Sequence, residues 1–177
     1  MKGSETKLIK YMEGADKRFV IPVYQRNYDW KIENCKQLYD DLVKVVRNNR
    51  KNHFFGSIVS TYNPDGDNEE YQIIDGQQRL TTVSLLLLAM YNLIRQGKVL
   101  PADNRLSDRI YEDYLVDKYQ PEETRIKLKP IKNDRPRITT ISTTGFRRKR
   151  SRLMNYFRRF AALRSSVFAL ILMIIRS

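Results

Sequence analysis

At 177 residues the chain has room for one domain with a tail, or one domain with a remnant of a second. One cysteine, Cys35, excludes an intrachain disulfide and a multi-cysteine zinc ribbon, and one histidine, His53, argues against two-histidine metal sites and an HNH-type nuclease centre. The net charge of +13 is unevenly spread: residues 1–135 carry 23 basic and 20 acidic side chains, residues 136–177 carry 10 basic and none acidic.

Taken in chain order, MKGSETKLIKYMEG lacks the apolar stretch of a signal peptide, which with the lone thiol fits the cytoplasm. Leu8, Ile9 and Met12 predict a short helix over 5–12, stopped by Gly14. Residues 18–24 (RFVIPVY) read as a strand, and Pro22 places it at an edge or a bend because proline cannot donate a ladder hydrogen bond. Ile32, Cys35, Leu38, Leu42, Val45 and Val46 recur at helical spacing and predict a helix over 31–48. Residues 54–62 (FFGSIVSTY) read as a second strand, 63–70 (NPDGDNEE) as a turn and 71–74 (YQII) as a third strand, so a hairpin is expected. A buried helix follows from Leu80 to about Gln96, closed by Gly97. Another helix is predicted over 104–119 with Leu106, Ile110, Tyr114 and Leu115 inward, then a strand over 124–128. The body is therefore expected to be α/β, a small mixed sheet flanked by helices.

Chemistry can sit in two places. In IIDGQQRLTT (73–82) a strand ends at Asp75, Gly76 permits a tight turn, and a helix begins. Such a junction presents unpaired N–H groups and the positive end of a helix dipole to phosphate. Gln77, Gln78 and Arg79 stand at its mouth, Thr81 and Thr82 add hydroxyls one turn on, and Asp75 could hold Mg2+ or orient water. The alternative is an ordinary strand–turn–helix with Asp75 as cap and the glutamines solvated. No GxxxxGK[ST] is present, so this is not a P-loop. In IPVYQRNYDW (21–30), Arg26 could meet a second phosphate, Gln25 a base edge, and Tyr24 or Tyr28 could stack on the base. The alternative there is that Tyr28 and Trp30 staple the strand to the helix over 31–48. Cys35 falls on the apolar stripe of that helix and reads as packing.

IPVYQRNYDW, HFFGSIV and YQIIDGQQRLTTVSLLL, in that order over roughly residues 5–135, resemble the N-terminal domain of GmrSD-type restriction endonucleases, a ParB/sulfiredoxin-like family with DGQQR as its signature. The resemblance implies a domain that binds and hydrolyses nucleoside triphosphates and so licenses cleavage of foreign DNA by a nuclease partner domain. By the same resemblance Asp75, Gly76, Gln77, Gln78 and Arg79 inherit the NTPase motif. Tyr24, Gln25 and Arg26 inherit a motif facing it across the phosphates.

Residues 136–177 leave three readings open. The cluster Arg147, Arg148, Lys149, Arg150 and Arg152 can act as a basic arm on DNA phosphates. The nine apolar residues 167–175 fall short of the roughly 20 that a spanning helix needs. The loss of all acidic residues also fits an out-of-frame end after truncation. A non-catalytic DNA-binding or defence-regulatory module is the competing function, and an inactive remnant a third.

Overall fold

The computed structural model describes residues 6–14, 16–50, 54, 56–65, 68–121 and 125–129. The basic segment 136–177, His53 and residues 66–67 of the expected turn lie outside them.

The elements run α1 (Leu8–Met12), β1 (Lys17–Val20), α2 (Ile32–Arg47), β2 (Val59–Asp65), β3 (Asn68–Asp75), α3 (Gln77–Arg95), α4 (Leu106–Arg109), a π-helical segment (Ile110–Leu115) and β4 (Leu128–Lys129). The strands form one mixed sheet in the order β2-β3-β1-β4. β1 pairs in parallel with both β3 and β4, and β2 pairs antiparallel with β3. The expected mixed α/β class with a small sheet is what the chain adopts.

Each element has a local cause. Cys35, Leu38, Leu42 and Val45 are buried along one face of α2, as their spacing predicts. In α3, Leu80, Leu86, Leu87, Met90 and Leu93 are all buried, each apolar side chain contributing roughly 2 kcal/mol on leaving water. The helix closes as a Schellman motif, Lys98 N–H donating to Leu93 O (3.0 Å) and Gly97 N–H to Ile94 O (2.9 Å). The sheet contributes Phe19, Ile73 and Leu128 to the core that α1, α2, α3 and α4 share. Phe19 sits in the central strand, its ring 5.1 Å from that of Tyr11 and 5.8 Å from that of Tyr71.

Four boundaries differ from expectation. β1 stops at Val20 because it is a central strand, where Pro22 would break a ladder; Pro22 instead opens a turn, its carbonyl accepting Gln25 N–H (3.0 Å). In the hairpin β2 starts later than expected and runs further, β3 is twice as long as expected, and Asp65 pairs with Asn68. Ladder bonds override the turn propensity of Asn63 and Pro64, and β2 tolerates that proline as an edge strand among the described residues. The helix expected over 104–119 ends at Leu115, because Val116 bridges to Ile126 and Asp117 N–H donates to Arg125 O (2.7 Å). Pairing at 126 leaves β4 only Leu128 and Lys129, in place of a strand over 124–128.

Lys127 is almost fully buried, and its Nζ donates to the carbonyls of Met12 (3.4 Å) and Asp113, tying the ends of α1 and the π-helical segment. Burial pulls its ammonium down to about 8, against partial support from Asp113 and Asp117. Between that value and the ordinary 10.5 the unfolded chain binds more protons than the folded one, so this group makes stability rise with pH there. Burial acts oppositely on Tyr71 and Tyr114, raising both to about 12, so their contribution is lost above about pH 10 as the unfolded phenols ionise. Thermal melts of wild type and Lys127→Met are expected to diverge from about pH 8 to 10, wild type gaining more. Parallel curves would place the proton elsewhere.

Candidate functional site

The turn between β3 and α3 is built on Gly76, which is the N-cap residue with φ of 87° and ψ of 8°. L-residues avoid that left-handed conformation. The second reason for glycine is space: a Cβ here would lie 2.9 Å from Ile58 Cγ1 and 3.1 Å from Ser57 O. No side chain caps α3, and its first turn carries no acidic residue. Helix geometry leaves the first N–H groups without intrahelical partners.

The two glutamines are not solvated, and Asp75 is not the cap. Gln77 and Gln78 are 6% and 5% exposed. Both turn their amides onto the backbone of the loop after β1. Gln77 Nε2 donates to Arg26 O (2.9 Å) and Gln78 Nε2 to Asn27 O (3.0 Å). Gln78 Oε1 accepts from Asp29 N–H (2.9 Å) and Trp30 N–H (3.3 Å). These bonds position the loop, so the amides face loop backbone and not an open mouth.

The threonines face inward too. Thr82 Oγ1 donates to Gln78 O (2.7 Å), which uses its one proton, so Tyr28 OH, at 2.8 Å, is the donor to Thr82. Tyr28 OH also lies 3.5 Å from Cys35 Sγ on α2. Burial raises the Tyr28 phenol and the Cys35 thiol, which keeps both neutral. Tyr28 thus staples the loop to α2 and α3, as the alternative for that residue held. Thr81 lines an apolar cavity with Leu85, Tyr111 and Leu128, away from the turn.

What remains toward solvent is a short list. The Asp75 carboxylate is 66% exposed, and its Oδ2 is 3.8 Å from Arg79 Nη2. Arg79 Nη1 donates to Ser57 O (2.5 Å). Tyr24 is 70% exposed, Arg26 is exposed, and Gln25 Nε2 donates to Ile74 O (3.0 Å) at the end of β3. The structure therefore brings the 24–30 loop to the 75–79 turn through Gln25, Gln77 and Gln78. Residues 56–58 form a further wall that the sequence alone does not single out as part of the site. Its signal is the glycine in HFFGSIV.

No group of three or more His, Cys, Asp or Glu among the described residues is placed to hold a metal ion. Asp75 alone suits Mg2+ only as one ligand shared with ligand phosphates and water, the way that ion is commonly held. No helix among the described residues is long and apolar enough to cross a membrane.

A small mixed α/β domain with a glycine turn, an uncapped long helix and a loop pinned by paired glutamines defines the class. The chain matches the model of the GmrSD restriction endonuclease N-terminal domain over residues 8–170, and it belongs to that family. The matched span runs past residue 135 into the basic segment. No curated protein matches the chain. Membership places it in a DNA restriction system.

Proposed function

We propose that the domain binds a nucleoside triphosphate with Mg2+ and hydrolyses it, and that this step controls DNA cleavage by a nuclease partner of the same restriction system. The observation that carries the reading is the uncapped start of a 19-residue helix with Arg79 in its first turn and an exposed carboxylate, Asp75, just before it. Phosphate brings the negative charge that this helix end lacks, and a guanidinium takes phosphate oxygens bidentately. The mixed sheet is compatible with the ParB-like fold that the resemblance implies.

In this reading Arg79 neutralises phosphate charge, and Asp75 holds Mg2+ or the attacking water. The loose Asp75–Arg79 pair, in contact with solvent, contributes little to stability and leaves both groups available. Gln77 and Gln78 act through the loop, holding Arg26 and the 24–26 segment beside the turn. Tyr24 offers an exposed ring for a base, and Mg2+ would supply charge neutralisation on the phosphates.

The test is titration of fluorescent GTP and CTP analogues, with magnesium, into the full chain. Saturable binding is expected, weakened about tenfold or more in Arg79→Ala, as losing a charge-assisted bond of about 1.5–3 kcal/mol requires. Asp75→Ala is expected to abolish magnesium-dependent turnover. Unchanged affinity and turnover in both variants would defeat the reading.

A further inference from the structure

Gly56 has φ of +90° and stands beside the Arg79 guanidinium. A Cβ at this position would lie 2.5 Å from Arg79 Nη1, 3.0 Å from Cζ and 3.4 Å from Nε. Three guanidinium atoms thus crowd the one spot that a side chain would fill. The next residue supplies the acceptor, Ser57 O, for Nη1. Gly76 allows a second close approach of the same segment, since Ser57 O and Ile58 Cα pack where its own Cβ would be, at 3.1 and 3.2 Å. Two glycines from separate segments therefore let the 56–58 backbone lie against the start of α3. The arginine is seated against Gly56 and Ser57.

We propose that Gly56 and Ser57 are positioning residues for Arg79. Gly56 provides the slot for the guanidinium, and the Ser57 carbonyl takes one N–H and so fixes the rotation of the group. A guanidinium has five N–H donors in a rigid fork. With Nη1 held on Ser57, the edge that includes Nη2 is directed toward Asp75 and the turn, where a phosphate would stand. A lysine could not be held this way, since an ammonium has no plane to seat and no fork to orient. The role of this slot in ligand binding rests on the nucleotide reading; the slot itself does not.

Two double-mutant cycles test it, both built from Gly56→Ala and Arg79→Ala in the full chain. In melting temperature, Gly56→Ala is expected to cost several degrees when Arg79 is present. In the Arg79→Ala background it is expected to cost distinctly less, because truncating the arginine removes the clash and leaves backbone strain alone. Equal losses in the two backgrounds would overturn the slot. In affinity for a fluorescent GTP or CTP analogue, Gly56→Ala is expected to weaken binding about tenfold when Arg79 is present and to change nothing in the Arg79→Ala background. A merely structural glycine would weaken binding in both, and that result overturns the positioning role. If Gly56→Ala fails to fold, Arg79→Lys decides: it keeps the charge and leaves Gly56 intact, and is expected to bind nearly as poorly as Arg79→Ala. Wild-type affinity in the lysine variant overturns the proposal. Absence of nucleotide binding by wild type would sink the nucleotide reading, and with it the ligand role of the slot, while the melting cycle still decides the slot itself.

Discussion

Gln78→Ala is expected to lower the melting temperature by about 10 °C and to release the loop after β1. The side chain makes three hydrogen bonds to that loop, one to Asn27 O and two from the N–H groups of Asp29 and Trp30. Truncation strands one acceptor and two donors, and a buried orphan group costs roughly 1–3 kcal/mol. Asn27 and Asp29 are exposed residues, so water re-pairs part of what is lost and the total settles near about 3 kcal/mol. In a chain of this length that corresponds to about 10 °C. Gln77→Ala removes one hydrogen bond, to Arg26 O, and takes away an Oε1 that is buried without a partner, so its cost is expected to be about a third as large. Amide hydrogen exchange is the sharper readout, because the Asp29 and Trp30 amides lose protection directly. Melting within about 2 °C of wild type, with those amides still protected, would show that the loop is held by Tyr28 and not by Gln78.

The motif is legible in the sequence, but the work its residues do is only partly so. A strand ending at Asp75, a glycine turn and a helix start are all readable from residue order, because turn and helix signals are local. The fate of the glutamines is not, since their partners lie about fifty residues away in a loop, and nothing local indicates that an amide will face backbone. Gly56 shows the same limit. Its sequence neighbours mark a strand, but the reason for glycine is an arginine 23 positions later. The buried faces of α2 and α3 follow from periodicity, which depends on apolar spacing alone. The end of the helix after Leu106 does not, because pairing of Val116 with Ile126 sets it. Lys127 is equally hidden: a lysine in a short strand reads as solvent-facing until the ends of two helices are found around it.

Gly76→Ala is expected to destabilise the fold by about 3 kcal/mol and to disarm Arg79 together with it. The first part is conformational, since an L-residue held at φ of 87° costs roughly 1–2 kcal/mol. The second is steric, and beyond the Ile58 side chain, at 2.9 Å, it falls on backbone. The added methyl would meet Ser57 O at 3.1 Å and Ile58 Cα at 3.2 Å, which cannot rotate aside as a side-chain end can. Relief therefore requires the 56–58 segment to retreat, and overpacking of this kind costs about 1–3 kcal/mol. A retreat also withdraws Ser57 O from Arg79 Nη1, so the guanidinium loses its fixed orientation without being mutated. Gly97 supplies the control. It also has positive φ, at 66°, but a Cβ there meets nothing within 4 Å, so Gly97→Ala carries the conformational part alone. Denaturant titration of the two variants is expected to separate them by about 1–2 kcal/mol, with nucleotide affinity lost in Gly76→Ala and kept in Gly97→Ala. Equal losses of stability in the two would mean that the 56–58 segment yields freely. In that case Gly76 would serve the turn and nothing beyond it.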